Sequence, residues 1–181
     1  MLTIAAGYAL REAGGRMRFH HMCIVTADLD EAIRLWRDVM GFELKVKMTI
    51  PDGEAFSASV MAPKKLLEDL YKVPGASATV AVLISPQRAM IELLQPQVPK
   101  VASTPGDRLG YAHTGIHELG LVLEGIDEFF HKVRAAGYRT QTEYVWPCAN
   151  MGRTFIFYDK EDNMIQIWEH SPEAPAELRV P

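Results

Sequence analysis

The feature that most constrains this chain is an internal repeat. His21 sits in an alternating apolar segment, a helix-like segment follows, and Gly41-Phe42 ends the unit. His117 stands at the same place in a second copy that ends in Gly137-Tyr138. The spacing from histidine to glycine is the same in both. Self-similarity of this kind marks a duplicated supersecondary unit, and such a unit buries its apolar face only by pairing with another.

Within the first copy, Phe19 to Thr26 reads as a strand. Phe19, His21, Cys23 and Val25 point one way; His20, Met22 and Ile24 point the other. Asp28, with Glu31 three residues on, has the form of a capping box. The helix it starts places Ile33, Trp36 and Met40 on one face, and Gly41 is a good C-terminal stop. Phe42 to Met48 alternates as a half-buried strand. Residues 51–77 read as irregular, apart from a short amphipathic helix over Lys64 to Val73. Strands are expected over Ala78–Ile84 and Arg88–Gln95, the latter with Met90, Glu92 and Leu94 on one face. The second copy gives a strand over Ile116–Leu123, a helix over Ile126–Ala136, and strands over Tyr138–Val145, Arg153–Tyr158 and Met164–Glu169.

The fold class is therefore α+β, two βαβββ modules. Residues 1–16 form an N-terminal extension, with a short helix over Ile4–Ala13 and Met17 opening the repeat pattern. Residues 17–96 form the first module, and 97–114 a linker rich in Pro, Ser, Thr and Gly. Residues 115–170 form the second module, and 171–181 a tail.

Composition excludes several classes. Of 181 residues, 48% are hydrophobic and 23% charged, an ordinary globular balance. The net charge is -4, and Lys64-Lys65 is the only basic doublet, so nothing suggests nucleic acid. Cys23 and Cys148 are far apart in sequence, which points to a reducing cytoplasm rather than a disulfide framework. No apolar run approaches membrane length, and Leu2–Leu10 lacks the positive leading region of a signal peptide.

The run from His21 to Phe42 resembles the opening of vicinal-oxygen-chelate proteins, where a His-led strand runs into a helix ending in Leu-Gly-Phe. Phe157-Tyr-Asp-Lys-Glu-Asp-Asn-Met-Ile-Gln-Ile is similar to their closing motif, Phe-x-Asp-Pro-x-Gly-Asn-x-Ile-Glu. This superfamily includes glyoxalase I, bleomycin resistance proteins and extradiol dioxygenases. The resemblance covers Arg18 to about His170. It implies two modules forming a U-shaped, partly open barrel around a metal cleft. It also implies one metal ligand from the first strand and one from the last strand of each module: His21, Glu92, His117 and Gln166. Two departures stand out. Gln166 replaces the usual Glu, and the stretch from His117 to Ile126 is one residue longer than usual. Glu169 is an odd offset from Gln166 and faces the other side of its strand.

Two imidazoles, one carboxylate and one amide would leave a divalent ion (Zn, Ni, Co, Fe or Mn) with one net positive charge, a stronger Lewis acid than with two carboxylates. Family members of the glyoxalase and epimerase type abstract a proton next to a carbonyl while the metal binds the enediolate oxygens. Glu92, the only carboxylate of the set, is then the catalytic base. A two-base route would draw on Glu54, Glu143 or Tyr144. The alternatives are a non-haem iron dioxygenase and a non-catalytic binding or resistance protein. Trp146, Met151 and Phe56 are expected to line the substrate site, with Arg153 gripping an acidic group. The expected substrate is a small, apolar molecule carrying an acid, and the expected assembly is a homodimer. Cys23 reads as a small core residue.

Overall fold

The computed structural model describes residues 18–179; the helix expected over Ile4–Ala13 lies outside them. β1 (Met22–Val25) is an edge strand with Met22 and Ile24 turned to the core. Asp28 follows, and its carboxylate accepts the Glu31 N–H at 3.1 Å to start α1 (Leu29–Arg34). The box is only half formed. The Asp28 N–H goes to Thr26 Oγ1, and the Glu31 carboxylate turns to Arg34 and Tyr138. α1 runs into a π-helical turn, Leu35–Val39, that buries Leu35, Trp36 and Val39. Gly41 ends this unit at φ +78°, and Gly137 ends its counterpart at φ +86°. A residue with a Cβ would pay roughly 1–2 kcal/mol at either place.

Next come β2 (Glu43–Ile50), α2 (Lys64–Tyr71), β3 (Ser77–Ile84) and β4 (Met90–Val98). The second module holds β5 (Glu118–Val122), α3 (Ile126–Ala135), β6 (Trp146–Pro147), β7 (Gly152–Tyr158) and β8 (Met164–His170). The sheet orders are β1-β4-β3-β2 and β5-β8-β7-β6, and β1 with β4 and β5 with β8 are the parallel pairs. The chain is thus the α+β two-module fold, its sheets not closed into a barrel.

One strand falls short of expectation. Tyr138–Val145 makes only an isolated bridge, Thr140 to Phe157, before the short β6 pairs with β7. Thr142 Oγ1 donates to the Tyr144 carbonyl at 2.6 Å, a local bond that competes with the ladder.

The core explains which faces remain for function. Ala81, Leu83, Ile91 and Leu93 of the first sheet and Phe155, Phe157, Ile165 and Ile167 of the second join Trp36, Phe130, Val133 and Tyr138 in one buried cluster. Polar ties cross the same boundary: Tyr138 Oη donates to Glu31 at 3.0 Å, Lys132 Nζ to the Val39 carbonyl at 2.6 Å, and Thr26 Oγ1 to Glu161 at 2.8 Å. The modules pack through their helical sides, so the opposite face of each sheet turns away from the shared core. On the first sheet α2 covers part of that opposite face, where Leu67 packs with Ile50, Val80 and Leu94. Burying such a leucine contributes about 1.5–3 kcal/mol. Among the described residues no helix is long and apolar enough to cross a membrane.

Candidate metal and substrate site

Glu92 sits mid-strand in β4, between Ile91 and Leu93, which face the core. Alternation therefore turns Glu92 to the opposite face. The parallel register sets Cys23 opposite Glu92. His21, just before β1, brings its Nε2 to 4.0 Å from Glu92 Oε2. Both side chains are about a third exposed, at 36% and 30%. Cys23 is an exposed residue. Its thiol nevertheless is pushed up to about 12, first by desolvation and then by the Glu92 carboxylate it bonds to, and so stays protonated. His20 does not face away from His21 as strand alternation would have it. The two Nδ1 atoms are 2.7 Å apart. Both residues precede β1, where the two-residue period no longer binds them.

The second module builds a matching half. His117 precedes β5, and its Nδ1 lies 3.1 Å from the Leu109 carbonyl. A carbonyl only accepts, so Nδ1 carries a proton, and in the neutral imidazole Nε2 is then the atom with the free lone pair. That Nε2 is buried and has no hydrogen-bond partner. Gln166 lies mid-strand in β8 opposite Gly120, as Glu92 lies opposite Cys23. The extra residue noted in the sequence falls between His117 and Gly120. Gln166 Oε1 accepts the Trp168 indole N–H at 2.6 Å, which fixes which end of the amide is oxygen.

The structure thus brings His21 to Glu92 and sets His117 and Gln166 on the other module. Among the described residues, no three His, Cys, Asp or Glu side chains converge within the chain. The donor set nonetheless suits a divalent cation: a buried imidazole lone pair with its tautomer fixed by a carbonyl, a second imidazole, a carboxylate and an oriented amide oxygen.

Of the expected substrate contacts, Trp146 pairs with Thr154, which in turn pairs with Trp168, so it shares the sheet face of Gln166. Met151 lies half-buried in the short turn before β7. Phe56 is 70% exposed in the loop after β2. Arg153 stands apart. It lies on the other face of β7 and is engaged by Asp127 at 2.7 Å and Glu169 at 2.5 Å. Glu54 and Glu143 face Lys64 and Arg134, at 3.6 Å and 2.5 Å.

Two residues escaped the sequence reading. Trp168 orients Gln166, a same-face relation visible in the two-residue spacing. Tyr71, the last residue of α2, packs against the same buried cluster as Val82, whose strand partner is Glu92.

The family model for the Glyoxalase/Bleomycin resistance protein/Dioxygenase superfamily matches residues 20–157. The chain belongs to this superfamily. No curated protein matches it in sequence. Several superfamily structures are similar to it. A glyoxalase family protein from Bacillus cereus is 18% identical, with 87% of this chain and 97% of that one covered and a TM-score of 0.72. The fosfomycin resistance protein FosX from Listeria monocytogenes is 13% identical in a mutant complexed with Mn(II) and 1S,2S-dihydroxypropylphosphonic acid, covering 88% and 96% with a TM-score of 0.56. A glyoxalase/dioxygenase from Nostoc punctiforme is 16% identical, covering 84% and 90%, also at 0.56. At these identities the likeness concerns the fold of this superfamily member.

Proposed function

We propose that this chain is a metal-dependent enzyme, a lyase or isomerase that moves a proton at a carbon next to a carbonyl. The observation that carries the reading is His117: a buried imidazole held in the tautomer that offers Nε2, with nothing to receive it. His21, Glu92, His117 and Gln166 would hold one divalent ion. Since the two halves sit on separate modules, a second copy of the chain completes each site in a cytoplasmic homodimer, module one of one subunit meeting module two of the other.

Bound there, a divalent cation supplies a Lewis acid that stabilises negative charge developing on a neighbouring substrate oxygen. Glu92, the only carboxylate of the four, would be the proton acceptor and could return the proton in a one-base shuttle. Trp146, Met151 and Phe56 line the approach with apolar surface, which suits a small apolar acid. With Arg153 held by Asp127 and Glu169, the acid group's counter-charge falls to the cation itself. A dioxygenase is the second reading, because two histidines and one carboxylate also form the inner set of non-haem iron sites.

Elemental analysis of the wild type, His21→Ala and His117→Ala tests this. We expect about one metal per chain, lost in both variants. Metal retained by either variant, or no binding of added divalent ions by the wild type, overturns it. Exchange of substrate-carbon protons in heavy water supports proton transfer, whereas oxygen uptake with bound iron replaces it by the dioxygenase.

A further inference from the structure

The face that carries Glu92 holds one more polar group with no assigned role. α2 packs there through Leu67, and its last residue, Tyr71, packs against the same cluster as Val82, the strand partner of Glu92. The ring is partly buried, but its Oη is sealed from solvent and has no hydrogen-bond partner. A buried hydroxyl left unpaired is costly, and such a group in a native fold calls for a partner. A phenol is protonated at neutral pH, so the group is a hydrogen-bond donor. Lys72, next in the chain, ends α2 in the left-handed conformation at φ 56° and fixes where Tyr71 stops.

We propose that Tyr71 is a substrate-binding residue whose phenol O–H donates to a substrate oxygen seated beside Glu92. This rests on the metal-site reading above. It adds that an anionic or carbonyl oxygen is gripped from two sides, by the cation and by Tyr71. The same donor discriminates against analogues with a methylene in place of that oxygen, since they leave Oη unpaired. His117 Nε2 and Tyr71 Oη are then counterparts on the two modules, each satisfied in the loaded site.

The test uses full-length Tyr71→Phe beside the wild type, both loaded with Co(II), with acetohydroxamate as a small chelating oxygen ligand. Metal content, the Kd for acetohydroxamate and the Tm of the metal-free protein are measured. We expect equal metal content, a Kd raised about tenfold in the variant, and a metal-free Tm equal to or above that of the wild type. An unchanged Kd with metal retained overturns the role of Tyr71 and leaves the metal reading standing. A lower metal-free Tm also overturns it, by showing a structural bond. A wild type that holds no Co(II) overturns both.

Discussion

The Leu109 carbonyl and the Trp168 indole each orient one candidate ligand of the second module: the carbonyl holds His117 by Nδ1 and leaves Nε2 free, and the indole N–H takes one lone pair of Gln166 Oε1 and leaves the other for a cation. For Gln166 this is a testable relation. Trp168→Phe removes the donor that orients the amide, and we expect metal affinity to fall about tenfold, as such supporting bonds commonly do. Unchanged affinity, measured by competition with a chelator, would show that Gln166 is not a ligand. Gln166→Glu should tighten metal binding by adding a second carboxylate while weakening the Lewis acid. Gly152 sits at φ +134°, and a Cβ there would fall 2.0 Å from the Glu169 carbonyl. Gly152→Ala should cost at least about 3 kcal/mol, read as a lowered midpoint in urea. The matched places of His21 and His117 before the first strand of each module were legible because the repeat sets them twice; those of Glu92 and Gln166 on the last strands came from the family resemblance. The unpaired Tyr71 hydroxyl and the ion pairs of Arg153 were not, because each depends on which atoms meet once distant elements have packed.

At the scale of elements, the two equivalent helices are started by different means. α1 carries its own cap, Asp28, and Asp28→Ala should cost about 1 kcal/mol in thermal unfolding. α3 has Gly125 at that position, and its first N–H groups are met instead by Glu169 of β8, at 2.6 Å from Gly125 N and 3.2 Å from Ile126 N. Burial pushes the Glu169 carboxyl up, but Arg153 and these two N–H groups outweigh it and hold it below the usual range. Glu31 is lowered chiefly by Arg34. For a depressed carboxylate the stabilisation is complete above about pH 4.5 and is lost as pH falls through the folded-state value. Asp159 runs the other way: burial raises it, so its protonation favours the folded state. The acid limb of a stability profile should therefore become shallower in Glu169→Gln. An unaltered limb would mean that the cap contributes nothing. The periodicity of these segments made helices, most strands and their glycine stops readable. It could not show that one helix borrows its cap from a strand more than forty residues away, nor that Thr142 would break the expected strand at Tyr138–Val145.

The whole molecule is two modules joined back to back, each with its half-site facing outward. If sites form between subunits, His21→Ala and His117→Ala are defective in different halves of the same site. A mixed dimer then contains one doubly damaged site and one intact site. Unfolding and refolding the two variants together should restore about a quarter of the wild-type metal content, since about half the dimers are mixed. No restoration would place each site within one chain.

The shared core has a further consequence for the connection between the modules. Its cohesion comes from Trp36, Phe130, Phe155 and their neighbours, not from the covalent link through residues 99–117. A protease cut in that stretch should therefore leave a nicked protein whose two pieces stay together and migrate as one particle. Made separately, each piece would present half of an apolar interior to water and would need the other to become soluble. The linker keeps the halves at high mutual concentration during folding, and the packed helices do the holding thereafter.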